Sequence, residues 1–140
     1  LMVSELSKFW FCILTPENYE VVKKELVWGV TSRHKNKIMQ VEPGDRLVMY
    51  VIGEKRIKGI YEAVSKPYED ETEIFHGGVY PYRVKLRQVK ESEKGIDIRE
   101  LVPELELFKR KDAKWAGVLR GRAMIEITEK DYKTIEKKLR

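Results

Sequence analysis

A mixed α/β or β-barrel domain is the fold this sequence predicts, on three observations. Apolar runs of strand length recur, as at 9–14 and 47–52. Helix start signals stand out at two places, one directly after the first run and one near the C-terminal end. Between them the strands follow one another without regular helices, which argues against a doubly wound sheet. With 140 residues, 42% of them hydrophobic, the chain has the length of one domain (1–140) and enough apolar material for a core.

The elements follow in order. Phe9-Trp10-Phe11-Cys12-Ile13-Leu14 is a continuous apolar run, the pattern of a buried strand. Thr15-Pro16-Glu17 starts a helix: Thr15 suits the N-cap, Pro16 the first helical position, and Glu17 the positive end of the dipole. Tyr19, Val22 and Leu26 give it an apolar face, and Trp28-Gly29-Val30 is read as its end. A polar basic segment covers 31–37. Pro43-Gly44-Asp45 makes a turn into a strand at 46–52, and Gly53-Glu54-Lys55 turns the chain into a second strand from 56 to about 66. Gly59 inside that strand marks a bulge or a close approach of another group. The stretch 68–80 reads as a long loop, and 82–89 alternates like a half-exposed strand. A short helical turn interrupted at Pro103, a last strand at 123–127 and a helix capped by Thr128 complete the chain.

Composition excludes several classes. No apolar run approaches the ~18 residues of a membrane span, so no membrane partner is expected. A secretory signal is not expected either, because the run after Lys8 is too short for an h-region; a cytoplasmic location follows. The single Cys12 excludes a disulfide framework and reads as a core residue. Lysine is abundant, whereas Asn18, Asn36, Gln40 and Gln88 are the only side-chain amides, a thermophilic and archaeal tendency.

Phosphate loops of the P-loop or dinucleotide type and the Gly-x-Ser-x-Gly elbow are absent from the sequence. His34 and His76 lack acidic neighbours placed for metal ligation, and the acidic run at 69–73 lacks the order of a calcium loop. No metal, cofactor or catalytic residue is therefore expected. The net charge is only +5, yet the cations gather in two patches. One holds Arg33, Lys35 and Lys37; the other holds Lys109, Arg110, Lys111, Lys114, Arg120 and Arg122. Local clustering of this kind matters more for phosphate binding than the total. Trp28 borders the first patch and Trp115 lies in the second, while Phe75 and Tyr80 flank Gly77-Gly78. Aromatic faces hold bases by stacking. The competing reading places the tryptophans in the core, certainly for Trp10, and at the core or rim for Trp115.

The segments Trp28-Gly29-Val30-Thr31-Ser32-Arg33-His34-Lys35-Asn36-Lys37 and Val41-Glu42-Pro43-Gly44-Asp45-Arg46-Leu47-Val48-Met49-Tyr50 resemble the EVE domain. Gly59-Ile60-Tyr61-Glu62-Ala63-Val64, Tyr80-Pro81-Tyr82-Arg83-Val84 and Leu119-Arg120-Gly121-Arg122-Ala123-Met124 extend the resemblance over nearly the whole chain. It implies a PUA-like β-barrel of about five to six strands with flanking helices, similar to the YTH domains that bind RNA carrying 6-methyladenine in an aromatic cage. Trp28 matches the first cage tryptophan, and Thr31, Ser32 and Asn36 fall in the segment lining the pocket. Arg120 or Arg122 matches the arginine that meets a backbone phosphate. The loop supplying the other cage aromatics carries Phe75, His76 and Tyr80 here, and no tryptophan.

The expectation is thus a non-enzymatic module that binds RNA or DNA. Trp28, Thr31, Ser32, Asn36, Phe75, His76 and Tyr80 would hold a flipped-out modified base, and Arg33, Lys35, Lys37, Arg120 and Arg122 the phosphates. The alternatives are a PUA-like RNA-binding domain without modified-base preference, an enzyme using His34 or His76 as acid–base on a nucleotide or small molecule, and an interaction module built on the terminal helix.

Overall fold

Six apolar residues in a row make sense once both faces of their strand are covered. In the computed structural model, which describes residues 7–140, strand β1 (Phe9–Leu14) pairs on one side in parallel and on the other antiparallel. Alternate side chains point to opposite faces. Phe9 and Phe11 therefore join one apolar layer, and Trp10, Cys12 and Leu14 the other.

Helix α1 (Pro16–Glu25) starts where Thr15 Oγ1 accepts the Asn18 amide at 3.2 Å. It ends one residue earlier than its apolar spacing predicts, because Leu26 turns left-handed (φ 55°). Trp28-Gly29-Val30 is accordingly not the helix end but part of strand β2 (Val27–Val30). The segment was too short for its period to show; pairing with residues 82–85 decides its conformation. The basic segment becomes a 3₁₀ turn, Ser32–His34, and a single turn of helix α2 (Lys35–Ile38).

Strands β3 (Arg46–Val51) and β4 (Arg56–Ala63) form the expected hairpin around Gly53. β4 stops at Ala63 rather than near 66. At Gly59 the β4–β6 register shifts, and a Cβ there would collide with the Tyr19 hydroxyl, which donates to the Lys58 carbonyl at 3.0 Å. Strand β5 (Tyr68–Glu69) adds a two-residue edge. Strand β6 (Tyr82–Asp97) runs well past the alternating segment, and the 98–107 region holds one 3₁₀ turn, Ile98–Glu100. Strand β7 (Met124–Ile127) and helix α3 (Glu129–Lys138) close the chain, with Thr128 Oγ1 accepting the Asp131 amide at 3.1 Å.

The sheet order is β2-β6-β4-β3-β1-β7, with β5 added beside β6. All pairs are antiparallel except β1 with β3. Cluster residues from α3 and from 98–108 cover one face; Tyr19 and Val22 of α1 and Ile38 of α2 fill the other. The sheet curls until its edge strands approach, and the Trp28 indole Nε1–H of β2 donates to the Met124 sulfur of β7 at 3.5 Å. Among the described residues no backbone ladder joins β2 to β7, so the half-barrel has a seam. Buried polar groups lock the far side. Asp45 accepts from the Lys8 and Glu42 amides and the Trp10 indole at 2.9–3.0 Å, and Arg46 donates to Glu62 and to the Tyr132 hydroxyl.

Candidate functional site

The seam opens into a pocket of about 350 Å³, inside the ~300–1,000 Å³ range usual for small-ligand sites. Its floor and sides are apolar, from Ile13 and Leu14 at the end of β1, Val22 of α1, and Trp28, Gly29 and Val30 of β2. Trp28 is 4% exposed, so its ring is a wall shared with the core rather than an open plate. Phe75 and Tyr80 form a second wall, edge to face with centroids 5.6 Å apart. Gly29 is what lets that wall close. A Cβ at 29 would lie 2.8 Å from the Tyr80 carbonyl oxygen and 2.9 Å from the Phe75 ring.

Two buried side chains, one of them far away in sequence, hold the loop that carries Phe75 and Tyr80. Asn18 pairs with the His76 backbone in both directions, donating to its carbonyl at 3.0 Å and accepting its amide at 2.7 Å. Arg83 is 1% exposed. Its guanidinium donates to the Tyr80 and Val79 carbonyls at 2.9 Å each and to the Thr72 carbonyl, lies 3.5 Å from Asp70, and packs on the Phe75 ring at 5.3 Å. Alternation along 82–89 puts Arg83 on the polar side of a half-exposed strand. The loop carbonyls instead fold over it, and Tyr80 turns left-handed (φ 51°) to present its carbonyl.

Polar groups gather at the mouth. Arg33 and Arg122 line it, with Thr31 and His34. Partial burial, and secondarily the neighbouring Arg33 charge, push the His34 pKa below its ordinary value, so the imidazole is neutral at pH 7. A neutral imidazole offers one donor and one acceptor.

The pocket therefore brings together Trp28, Thr31, Phe75, Tyr80, Arg33 and Arg122 from the expected set. Ser32, Asn36, Lys35 and Lys37 lie outside its lining, exposed on the adjoining helical turns, with the Lys35 ammonium 5.0 Å from the Tyr82 ring centroid. His76 is turned away: it lines a separate crevice with Ile74 and the Glu17, Glu20 and Glu25 side chains of α1. Neighbours along a loop face opposite sides, and the Asn18 clamp on the 76 backbone sets which. Arg120 lines a different, basic groove beside Trp115. Lys111 leaves the expected patch altogether, because its ammonium donates to the Val102 and Leu105 carbonyls at 2.8 Å each. Asn18, Thr15 and His34 line the pocket without having been singled out for base binding; only the N-cap signal at Thr15 marked that corner in the sequence.

The sequence pattern of the EVE domain matches residues 8–138. The chain belongs to the EVE domain family. This EVE domain is 46% identical to a UPF0310 protein of Pyrococcus abyssi, over 91% of this chain and 96% of that protein. A UPF0310 protein of Pyrococcus horikoshii is 44% identical, over 94% and 98%. Both relatives come from an archaeal, thermophilic genus, in keeping with the lysine-rich, amide-poor composition. Among solved structures, the domain is similar to the YTH domain of the Zygosaccharomyces rouxii MRB1 protein in complex with N6-methyladenosine RNA. The TM-score is 0.75 at 20% identity, over 98% of this chain and 89% of that one. The Pho92 YTH domain in complex with m6A gives 0.74 at 18% identity, over 98% and 85%. These likenesses show a shared fold. No helix among the described residues is long and apolar enough to cross a membrane.

Proposed function

We propose that this EVE domain is a non-enzymatic nucleic-acid reader that holds one extruded, modified base in the seam pocket. The observation that carries this reading is the convergence of Trp28, Phe75 and Tyr80 around a cavity whose mouth bears Arg33 and Arg122. Aromatic and aliphatic walls suit a flat base. Guanidinium groups at the rim suit the phosphates on either side of it, contacts that position a strand without reading its sequence. Thr31 and His34 are placed to meet the base edge, in the role expected of Ser32 and Asn36. The pocket lining contains no carboxylate to orient His34, which favours binding over acid–base chemistry. One structural neighbour is in complex with N6-methyladenosine RNA and another with m6A, which makes a methylated adenine the first ligand to test.

Matched oligonucleotides with and without the methyl group, compared by fluorescence anisotropy, test the reading. Burying one methyl-sized group contributes about 0.8 kcal/mol, so a preference of about fourfold or more is expected. Equal affinity for modified and unmodified strands would replace the reading with a general nucleic-acid-binding domain.

His34 adds a pH dependence whose sign is set by linkage. Its free-state pKa lies below the usual 6.5, and a bound phosphate favours the imidazolium. Oligonucleotide affinity is therefore expected to be flat from pH 8 to 7 and to rise severalfold as pH falls through the His34 pKa. His34→Gln should flatten that rise, and a titration that climbs identically in the variant removes His34 from the site.

A further inference from the structure

Charge is distributed unequally around the pocket. Beside it, Ile74 and His76 line the crevice against α1, where Glu17, Glu20 and Glu25 outnumber Lys24 of the same lining and Lys23, which pairs with Glu20 at 3.0 Å. The exposed Glu71 and Glu73 precede Phe75 on the same loop. The opposite side is cationic and continuous. Arg122 lines the pocket and Arg120 lines a second groove of about 550 Å³. Extended chain spans at most ~3.6 Å per residue, so these two Cα atoms lie within about 7 Å of each other. Between them sits Gly121, in a left-handed turn (φ 72°), and a Cβ there would be 3.2 Å from the Arg33 guanidinium. Arg33 thus lies on a saddle joining the two concavities.

The second groove carries Lys109, Arg110, Lys114 and Arg120 around a half-buried Trp115, which is braced edge-on by Phe108 at 5.5 Å. Asp112 neutralises Arg110 in part. Among the described residues, Lys109, Lys114, Arg120, Arg122 and Arg33 have no carboxylate within 4.0 Å.

We propose that this groove is a one-sided track for a single strand, resting on the pocket reading above. The nucleotides flanking the held base cross the Arg33–Gly121 saddle, set their phosphates on Lys109, Lys114 and Arg120, and place a base against the open edge of Trp115. The acidic wall beside the pocket denies the strand the other direction. Single strands are the fit because their unstacked bases use aromatic platforms directly, whereas a duplex keeps its bases stacked and paired.

Pentanucleotides carrying the modified base at the 5′ end or at the 3′ end test the track. One isomer is expected to bind within about twofold of a centrally modified nonamer, and the other at least tenfold more weakly. The Lys109→Ala/Lys114→Ala variant should abolish that difference and reduce the slope of log affinity against log salt by about 1.4, at ~0.7 per phosphate on single strands. Its ratio of modified to unmodified affinity should stay unchanged, since neither residue lines the pocket. Equal binding of the two isomers with the modified-to-unmodified ratio still above one, an unchanged salt slope in the variant, or equally tight binding of a polyglutamate peptide would overturn the track. Failure of the pocket reading looks different: the modified-to-unmodified ratio falls to one and isomer preference is lost with it, while the drop in salt slope on Lys109→Ala/Lys114→Ala persists.

Discussion

Phe75→Ala is expected to weaken binding of a modified oligonucleotide by about five- to 150-fold, the equivalent of the 1–3 kcal/mol that base–aromatic stacking contributes. This variant isolates the pocket better than the more obvious Trp28→Ala. Trp28 is almost fully buried and contacts both edges of the half-barrel, so its truncation empties a core site and costs about 3–5 kcal/mol of stability. Loss of binding in Trp28→Ala would then mix pocket chemistry with unfolding. Phe75 is only half-buried, and its loss leaves the Arg83 bonds to the loop backbone in place. Trp28→Phe complements it by keeping an aromatic wall of smaller area. Anisotropy titrations with circular dichroism on the same samples check both, and a Phe75→Ala protein that is folded and binds unchanged would show that the loop is not a pocket wall.

Arg83→Met is expected to produce the largest structural effect for a single change outside the pocket. The substitution keeps the apolar stem and removes a buried guanidinium that satisfies three loop carbonyls and faces Asp70. Buried acceptors left without donors cost about 1–3 kcal/mol each, but the loop is exposed and regains water as it loosens. A net loss of about 2–3 kcal/mol is therefore expected, read as a lower Tm by calorimetry. Amide exchange across 72–80 should accelerate, with the β1–β3 core unaffected. Binding should fall with it, because Phe75 and Tyr80 no longer line the pocket in one fixed arrangement. Exchange in 72–80 that matches the wild type would show the loop is held by something other than Arg83.

The burial of Arg83 is a feature the sequence concealed, whereas Phe75 stood in the expected base-binding set. Local signals were legible: the apolar run of β1, the Thr15 and Thr128 caps, the Gly53 turn and the alternation at 82–89 each depend on neighbours within a few residues. β2 was not legible, since four residues show no period and Leu26 ends α1 by adopting a conformation that favours glycine. The site divided along the same line. Family resemblance placed Trp28, Phe75 and Tyr80 in one region, and the structure brings them to one cavity. Whether Phe75 or His76 faces inward depends on Asn18, 58 residues away, and the burial of Arg83 depends on loop carbonyls that no periodicity describes. Charge clustering likewise could not separate Lys111, spent on two carbonyls, from Lys114 beside it, which stays on the surface.

The central claim is that a base enters the seam beside Trp28. The three indole N–H signals of Trp10, Trp28 and Trp115 report on it separately in a nitrogen–proton correlation spectrum. During titration with a short oligoribonucleotide containing N6-methyladenosine, the Trp28 signal should shift strongly and saturate with the bound fraction. The Trp10 signal, buried against Asp45 and outside the pocket lining, should move far less. Saturated binding with an unmoved Trp28 indole would contradict the account.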